Sequence, residues 1–317
     1  MAKNIKPSPK VTVLMSVYNS EKYLAEAIES ILNQTFGDFE FLIINDGSKD
    51  SSLKIIKSFK DPRIRLLSRE NRGLTASLNQ GIALAKGEYI ARQDADDVSV
   101  KDRLEKEVKF LDEHPKIALV GSNYTIMDEK GKHLVTTNVF TRPKDLKLAQ
   151  VTCNQYGHGS VMMRTEIVRK CKGYDKRVGY VEDYDLWTRI SRIADIANFE
   201  EPLFLYRRND EGVTRQNLDL QIQQTFAVRD KAFKHFLKHR KDYSVFFYKP
   251  SGSEYRRRKA TMYRDLAYLY RQSDMPLKAL AMMLLPIVLQ PRNKKNYYCL
   301  QYILYKPRFD RWEYEFL

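Results

Sequence analysis

Apolar residues along the first third of the chain fall in short, nearly unbroken runs, which are typical of buried parallel strands. Between these runs, apolar residues recur every three or four positions, the spacing of a helix packed on one side. The predicted strands are 11–17, 39–44, 64–67 and 88–92, and the predicted helices are 24–32, 53–59 and 74–82. This alternation predicts an α/β fold with a mainly parallel sheet and helices on its faces.

The pattern changes twice after residue 100. Two apolar runs within 117–141 flank the turn Asp128–Gly131 and predict an antiparallel pair, and 202–206 is a last short strand. From about residue 217 the chain predicts long amphipathic helices at 217–240, 254–272 and 276–289. We therefore expect a domain over residues 1–216, made of one part near 10–100 and a second part near 115–216. A helical C-terminal region follows over 217–317.

Three polar clusters come directly after predicted strands: 16–19, 45–48 and 94–97. In a parallel sheet the strand ends share one edge, and ligands bind beyond that edge. The cluster Asp94, Asp96 and Asp97 fits either the acidic start of a helix or a divalent cation held against phosphates. Asp46 fits either an Asx turn or a contact to a nucleobase or ribose.

A second acidic group, Glu182, Asp183 and Asp185, precedes a helical pattern. It fits either a helix start or a general base, because crowded carboxyl groups have raised pKa values. His158 lies between two glycines, which allow a ligand to approach closely. We consider it a substrate-site candidate and not the base. Arg207, Arg208 and Arg215 flank a loop that fits either a diphosphate contact or exposed surface charge.

Composition narrows the class of protein. The 317-residue chain has a formal net charge of +15, which favours anionic partners such as phosphorylated ligands or an acidic membrane surface. No nucleic-acid-binding signature accompanies this charge, so we expect no nucleic acid partner. Three scattered cysteines indicate reduced thiols, and no apolar run reaches the ~20 residues of a membrane span. The N-terminus has no apolar run typical of a signal peptide, so a cytoplasmic protein is expected.

Four stretches in this order resemble the family 2 glycosyltransferases of GT-A fold. They are VTVLMSVYNSEKYLAEAIESILNQT, FLIINDGSKDSS, ENRGLTASLNQGIALAKGEYIARQDADD and GYVEDYDLW, within residues 10–215. The resemblance implies a Rossmann-like sheet and inverting transfer of a sugar from a nucleoside diphosphate, with UDP the expected nucleotide. The acceptor would be a hydroxyl of a saccharide or a lipid-linked saccharide.

The resemblance also implies roles for individual residues. Ser16 and Tyr18 would line the nucleoside pocket, Asp46 would bind the base, and Arg72 would lie nearby. Asp94, with Ala95 beside it, would contact the ribose or donor sugar, and Asp96 would bind Mn²⁺ or Mg²⁺ on the diphosphate. Asp183 would be the general base, with Glu182 next to it near the acceptor. His158, Trp187 and Arg207 are the acceptor or loop candidates. Asn209 stands where many members carry a histidine, so the third metal ligand is not assigned.

Alternatives remain at this stage. A nucleotidyltransferase would need a glycine-rich phosphate loop after the first strand, and SVYNSEKY has no glycine. A non-catalytic scaffold that binds saccharide or nucleotide would share the fold. The basic, tyrosine-rich C-terminal helices either pack on the protein or attach it peripherally to an anionic membrane, at the inner face of the cell membrane.

Overall fold

The computed structural model describes residues 8–209, 217–239, 253–272, 276–291 and 293–305. The chain forms two compact units, Met1–Val228 and Arg229–Leu317. The division lies within one helix, Leu218–His239, shortly after the predicted boundary at residue 216. Arg215 and most of the loop that it was predicted to flank lie outside the described residues.

A single sheet organises the first unit. In the described part it has nine strands, in the order β3-β2-β1-β4-β8-β6-β9-β5, with β7 paired to β6. The strands are β1 (Val11–Val17), β2 (Phe39–Asp46), β3 (Ile64–Arg69), β4 (Tyr89–Gln93), β5 (Val98–Ser99), β6 (Ile117–Met127), β7 (His133–Thr136), β8 (Met162–Arg164) and β9 (Asp195–Arg207). Strands β1 to β4 are parallel, and β6 and β7 are antiparallel. The predicted α/β architecture is confirmed.

Helices cover both faces of this sheet. They are α1 (Leu24–Leu32), α2 (Ser52–Ser58), α3 (Leu74–Leu84), α4 (Arg103–Glu113), α5 (Pro143–Thr152), α6 (Thr165–Lys170) and α7 (Glu182–Ile193). Alternate residues of β1, such as Val13 and Met15, join the core that contains Ile28 of α1. Leu14 points the other way, against Gly81 of α3. Because each strand buries side chains on both faces, it appears in the sequence as an unbroken apolar run.

Two helices of the first unit carry no clear signal in the sequence. Helix α5 buries Asp145, Gln150 and Thr152 together with its apolar residues, so it lacks a purely apolar face. Helix α6 has six residues, too few to show helical spacing. Strand β9 begins at Asp195, several residues before the predicted strand. Its first half was not predicted because the polar residues Asn198, Glu200 and Glu201 interrupt the apolar run.

Helices make up the described part of the second unit. The helix Leu218–His239 (α8) crosses the division, and α9 (Ser253–Gln272), α10 (Pro276–Leu289) and α11 (Lys294–Tyr305) follow. The first three match predicted helices, and α11 was not predicted. Inside this unit, Arg264 donates to Asn296 Oδ1 at 2.8 Å, and Asn296 donates to the Pro286 carbonyl at 2.9 Å. Among the described helices, none is long and apolar enough to cross a membrane.

Candidate active site

The ends of β1, β2 and β4 bring the first predicted clusters together. Strand β1 lies between the other two, with Val17 opposite Asn45 and Met15 opposite Gln93. The residues that follow, Tyr18, Asp46 and Asp94, therefore occupy neighbouring positions at one edge of the sheet. Ser16, the last-but-one residue of β1, is partly exposed, and Tyr18 is 47% exposed.

Asp46 is fixed by its neighbours on β3 and in the next loop. Its Oδ1 accepts a short bond from the Arg69 guanidinium and a 3.0 Å bond from the backbone N–H of Arg72. The Asp46 side chain is only 2% exposed, whereas Arg72 is exposed. The Asp46 carboxylate is therefore buried against Arg69, and Arg72 contributes its backbone N–H to this contact.

Two tight turns join the loops after β1 and β2. Asn19 has a positive φ of 49°, accepts from the backbone N–H of Lys49 at 2.8 Å, and donates its own N–H to Ser48 Oγ at 3.1 Å. Gly47 has a φ of 76°, and a Cβ there would lie 2.6 Å from the backbone nitrogen of Asn71. Only glycine suits that position, so both loops have one defined geometry.

A buried polar network holds the turn Asp94–Asp97 from the inner side. The Gln93 amide donates to the carbonyls of Asp94 and Asp97 at 3.1 and 2.8 Å. Ser99 Oγ donates to Gln93 Oε1 at 2.6 Å, and Arg103 donates to Ser99 Oγ at 2.9 Å. Because these groups are buried and paired, the turn is rigid before any ligand binds.

Arg207, at the end of β9, holds the same turn from the other side. Its backbone N–H donates to Asp97 Oδ1 at 2.7 Å and its Nε donates to the Asp96 carbonyl at 2.9 Å. Its Nη2 donates to Glu26 Oε2 at 2.5 Å, and its side chain is only 2% exposed. That Arg207 belongs to a loop over the diphosphate stays a prediction, and in this structure its guanidinium is engaged within the protein.

The turn concentrates negative charge. Burial first, and then the Asp94 carboxylate, raise the pKa of Asp96 to about 6. Burial, Asp96 and Asp94 raise the pKa of Asp97 well above its usual value. Arg92, itself fully buried, donates to Asp94 Oδ1 at 2.5 Å but leaves this repulsion in place. A cation at the turn would relieve the repulsion.

The donor chemistry of the turn suits a hard divalent cation. Asp94 and Asp96 are partly exposed and separated by the buried Ala95, and Asp97 Oδ2 has no hydrogen-bond partner among the described residues. Over the same part of the chain, no three His, Cys, Asp or Glu side chains surround one point. Such ions are often bound by one or two carboxylates together with substrate phosphates and water, so the residues fit this mode of binding.

The second acidic pair lies at the start of α7. Asp183 is partly exposed, whereas Glu182 is buried. Asp183 accepts from the Tyr184 backbone N–H at 2.6 Å and from Asn154 Nδ2 at 2.8 Å. Burial raises the pKa of Asp183 to about 6, and burial with the Asp183 charge raises the pKa of Glu182 to about 7. Of the two residues, Asp183 is the more exposed.

His158 lies beside this pair, inside an aromatic cluster. Its Nδ1 is 3.9 Å from Glu182 Oε1, and its Nε2 is 3.0 Å from the Tyr174 hydroxyl. Burial, and then the Arg92 charge, lower the pKa of His158 to about 3, so the imidazole is neutral. The Trp187 indole packs edge-on against His158 and Tyr174 and has no exposed surface. Trp187 therefore supports His158 from behind and cannot contact an acceptor directly.

The two acidic groups belong to one electrostatic site. The Asp94 charge contributes to the raised pKa values of both Glu182 and Asp183. A Cβ on Gly159 would lie 3.0 Å from Asp94 Oδ2, so the His158 turn touches the metal-candidate turn. Burial, then Asp183 and then Asp97 raise the pKa of Tyr124, which places this phenol within reach of both groups.

Several residues of the site were not singled out from the sequence. The sequence does contain a signal for Arg92, because an arginine inside an apolar strand next to three aspartates indicates a buried ion pair. Asn154 lies four residues before His158, but no pattern in the sequence around it distinguishes it. Arg69 and Tyr174 carry no local signal, since only the pairing of β2 with β3 and the packing around His158 bring them to the site.

The family model for glycosyl transferase family 2 matches residues 12–170, which include the sheet edge at the ends of β1, β2 and β4 and the His158 turn. The chain belongs to this family. EpsE of Bacillus subtilis, a provisionally named glycosyltransferase, is 37% identical over 69% of this chain and 81% of its own. The O-antigen biosynthesis glycosyltransferase WbnJ of Escherichia coli is 30% identical over 69% of this chain and 88% of its own. The protein is thus a glycosyltransferase enzyme.

Solved structures agree on the fold of this family 2 enzyme. S. aureus TarS in complex with UDP-GlcNAc has a TM-score of 0.60 at 17% identity, over 93% of this chain and 90% of its own. The mannosyltransferase PcManGT from Pyrobaculum calidifontis, in complex with GDP-Man and Mn²⁺, has a TM-score of 0.55 at 18% identity, over 94% and 81% of the two chains. These likenesses support the GT-A fold.

Proposed function

We propose that this glycosyltransferase moves a sugar, with inversion, from a UDP-sugar to a hydroxyl of a saccharide or lipid-linked saccharide. Asp183 is the general base. The proposal rests above all on one observation: a partly exposed aspartate with a pKa near 6 lies in the same electrostatic site as the Asp94–Asp97 turn. A base with such a pKa is ionised at neutral pH and can still accept a proton.

The donor is assigned to the edge formed by β1, β2 and β4. Ser16 and Tyr18 line the site of the nucleoside, and Asp46 and Arg72 contact its nucleobase. Asp94 and Ala95 lie against the ribose or donor sugar. UDP is chosen over GDP because TarS, which has the higher TM-score of the two, is in complex with UDP-GlcNAc.

A divalent ion, Mn²⁺ or Mg²⁺, is assigned to Asp96 with Asp94 adjacent. When bound, such an ion neutralises charge that develops on the departing diphosphate. Arg207 and Gln93 keep the turn in position through their hydrogen bonds to the Asp96 and Asp94 carbonyls. Arg207, being committed to these contacts, has a positioning role and does not bind the donor.

Asp183 takes the proton of the acceptor hydroxyl as the hydroxyl oxygen attacks the anomeric carbon of the donor sugar. Attack comes from the face opposite the diphosphate, so one displacement inverts the configuration and no covalent intermediate forms. Asn154 holds Asp183 Oδ2 at 2.8 Å, which leaves the carboxylate in a fixed direction. Glu182 and neutral His158 line the acceptor side next to it.

The test of the base is Asp183→Asn, which keeps the size of the side chain. We expect kcat to fall by about 10²–10⁴-fold while UDP binding is unchanged. Asp38→Asn is the matched control, because Asp38 is exposed and immediately precedes β2, at the end of the strand remote from the site. Near-normal turnover by Asp183→Asn would refute the base assignment.

Donor class and metal are tested by thermal unfolding with UDP, GDP, CDP or TDP, each with and without Mn²⁺. A ligand at about 100 times its Kd stabilises by ~2.7 kcal/mol, which is readily measured. We expect UDP with Mn²⁺ to raise the Tm, and Asp96→Ala to remove that increase. A larger increase with GDP would replace UDP in the proposal, and an increase independent of Mn²⁺ would reject the metal site.

A further inference from the structure

Helix α10 (Pro276–Leu289) is apolar apart from Lys278, which is unusual for a helix at a protein surface. One side is buried in the second unit through Ala279, Met282 and Met283. The opposite side is exposed, although it is equally apolar. A surface helix normally presents polar residues to water, so this exposed side requires a partner or an apolar environment.

The exposed residues of α10 form one stripe. Leu277 is 82% exposed, Leu284 is 63% exposed and Val288 is 74% exposed, with exposed Ala281 between them. Their spacings of four, three and four residues place all of them on the same face of the helix. Two more exposed apolar groups, Tyr297 and Leu304, follow on α11. We call Leu277, Ala281, Leu284 and Val288 the apolar stripe.

The charged residues of α10 and α11 are all basic. Residues 276–305 contain four basic and no acidic residues. Lys278 lies beside Leu277 on α10, and Lys294 and Lys295 begin α11; all three are exposed. Apolar side chains bordered by lysines are typical of helices that lie in the interface of an anionic membrane.

We propose that α10 and the start of α11 dock on an anionic lipid bilayer, with the apolar stripe inserted between headgroups and the lysines on the phosphates. A second copy of this chain fits less well, because two copies would bring their basic residues together at the contact. Nucleic acid would match the charge but not the aliphatic stripe. Docking of this kind is independent of the donor and base assignments, so its failure would leave them unchanged.

The experiment is flotation of the full-length protein with vesicles of phosphatidylcholine alone or mixed with phosphatidylglycerol. We expect binding to the mixed vesicles, and weaker binding at high salt. Leu284→Ser combined with Val288→Ser should lower the partition coefficient on the order of 100-fold. Lys278→Gln combined with Lys294→Gln should lower it roughly 10- to 30-fold at low salt.

The matched control is Leu134→Ser combined with Val135→Ser. These residues of β7 are 48% and 56% exposed, but the adjoining turn contains Asp128 and Glu129. The control should float like the wild type, and circular dichroism should show that every variant is folded. The proposal is overturned if the wild type does not float with mixed vesicles, or if the stripe variant floats equally well. It is also overturned if light scattering shows a dimer that the stripe variant dissociates.

Discussion

Replacing Arg207 by methionine tests whether this arginine positions the aspartate turn. Methionine fills much of the same volume but cannot donate to the Asp96 carbonyl, to the Glu129 carbonyl or to Glu26. The backbone N–H of residue 207 still donates to Asp97, so the turn loses its side-chain support and not its whole structure.

The expected cost follows from the burial of these contacts. The bond from the buried guanidinium to the Asp96 carbonyl is charged and only 2.9 Å long, whereas Glu26 is 55% exposed and its ion pair is screened by water. Together the two interactions should contribute about 1.5–4 kcal/mol, roughly 1.5–3 from the bond to the Asp96 carbonyl and roughly 0–1 from the Glu26 ion pair. If Asp96 binds Mn²⁺, Arg207→Met should lower the affinity of the protein for Mn²⁺ about 10–100-fold. Loss of a residue that orients a metal ligand typically has an effect of this size.

The assay combines urea unfolding with titration of Mn²⁺ in the presence of UDP. Arg208→Met is the matched control, since it makes the same chemical change at the next position, where the side chain is exposed. Glu26→Gln should lower the unfolding free energy by less than ~1 kcal/mol. If Arg207→Met changed stability by no more than ~0.5 kcal/mol and left the Mn²⁺ titration unchanged, the positioning role would be refuted.

Three further predictions concern the base and its surroundings. Turnover should rise with pH across the range from about 5 to 8, because Asp183 with a pKa near 6 must be ionised to act as base; a flat kcat profile would contradict this. Asn154→Ala removes a donor to that carboxylate, so the pKa of Asp183 should rise and the acidic limb of the profile should move up by about 1 pH unit. Gly159→Ala places a methyl group 2.3 Å from Phe204 and should cost ~1–3 kcal/mol in urea unfolding, whereas Gly37→Ala, with open space around it, should cost less.

Stability should depend on pH in the opposite direction to turnover. The pKa values of Asp96, Asp183 and Glu182 are raised in the folded protein to about 6, 6 and 7. Folding therefore favours their protonated forms, and the stability gained from protonation is lost as pH rises through this range. Maximal activity is thus expected where the ligand-free site has the strongest repulsion between carboxylates, which a bound metal ion would relieve.

The sequence by itself determined the strands β1 to β4, their helices and the edge at which the first acidic clusters meet. These elements are local, since each strand is buried on both faces and each helix shows its own period. Because these strands are parallel, their carboxyl ends lie at the same edge of the sheet. Helix α5 escaped prediction because its buried face includes polar residues whose partners are distant in the chain.

Only the tertiary structure decided which residues support the acids. Arg207 meets the aspartate turn across 111 positions of sequence, and Asn154 meets Asp183 across 29. Burial of Trp187 likewise results from packing against His158 and Tyr174, which nothing in its own neighbourhood indicates. Side-chain pairing and desolvation depend on three-dimensional neighbours, so the sequence can nominate a carboxylate, but the fold determines its pKa, its accessibility and its partners.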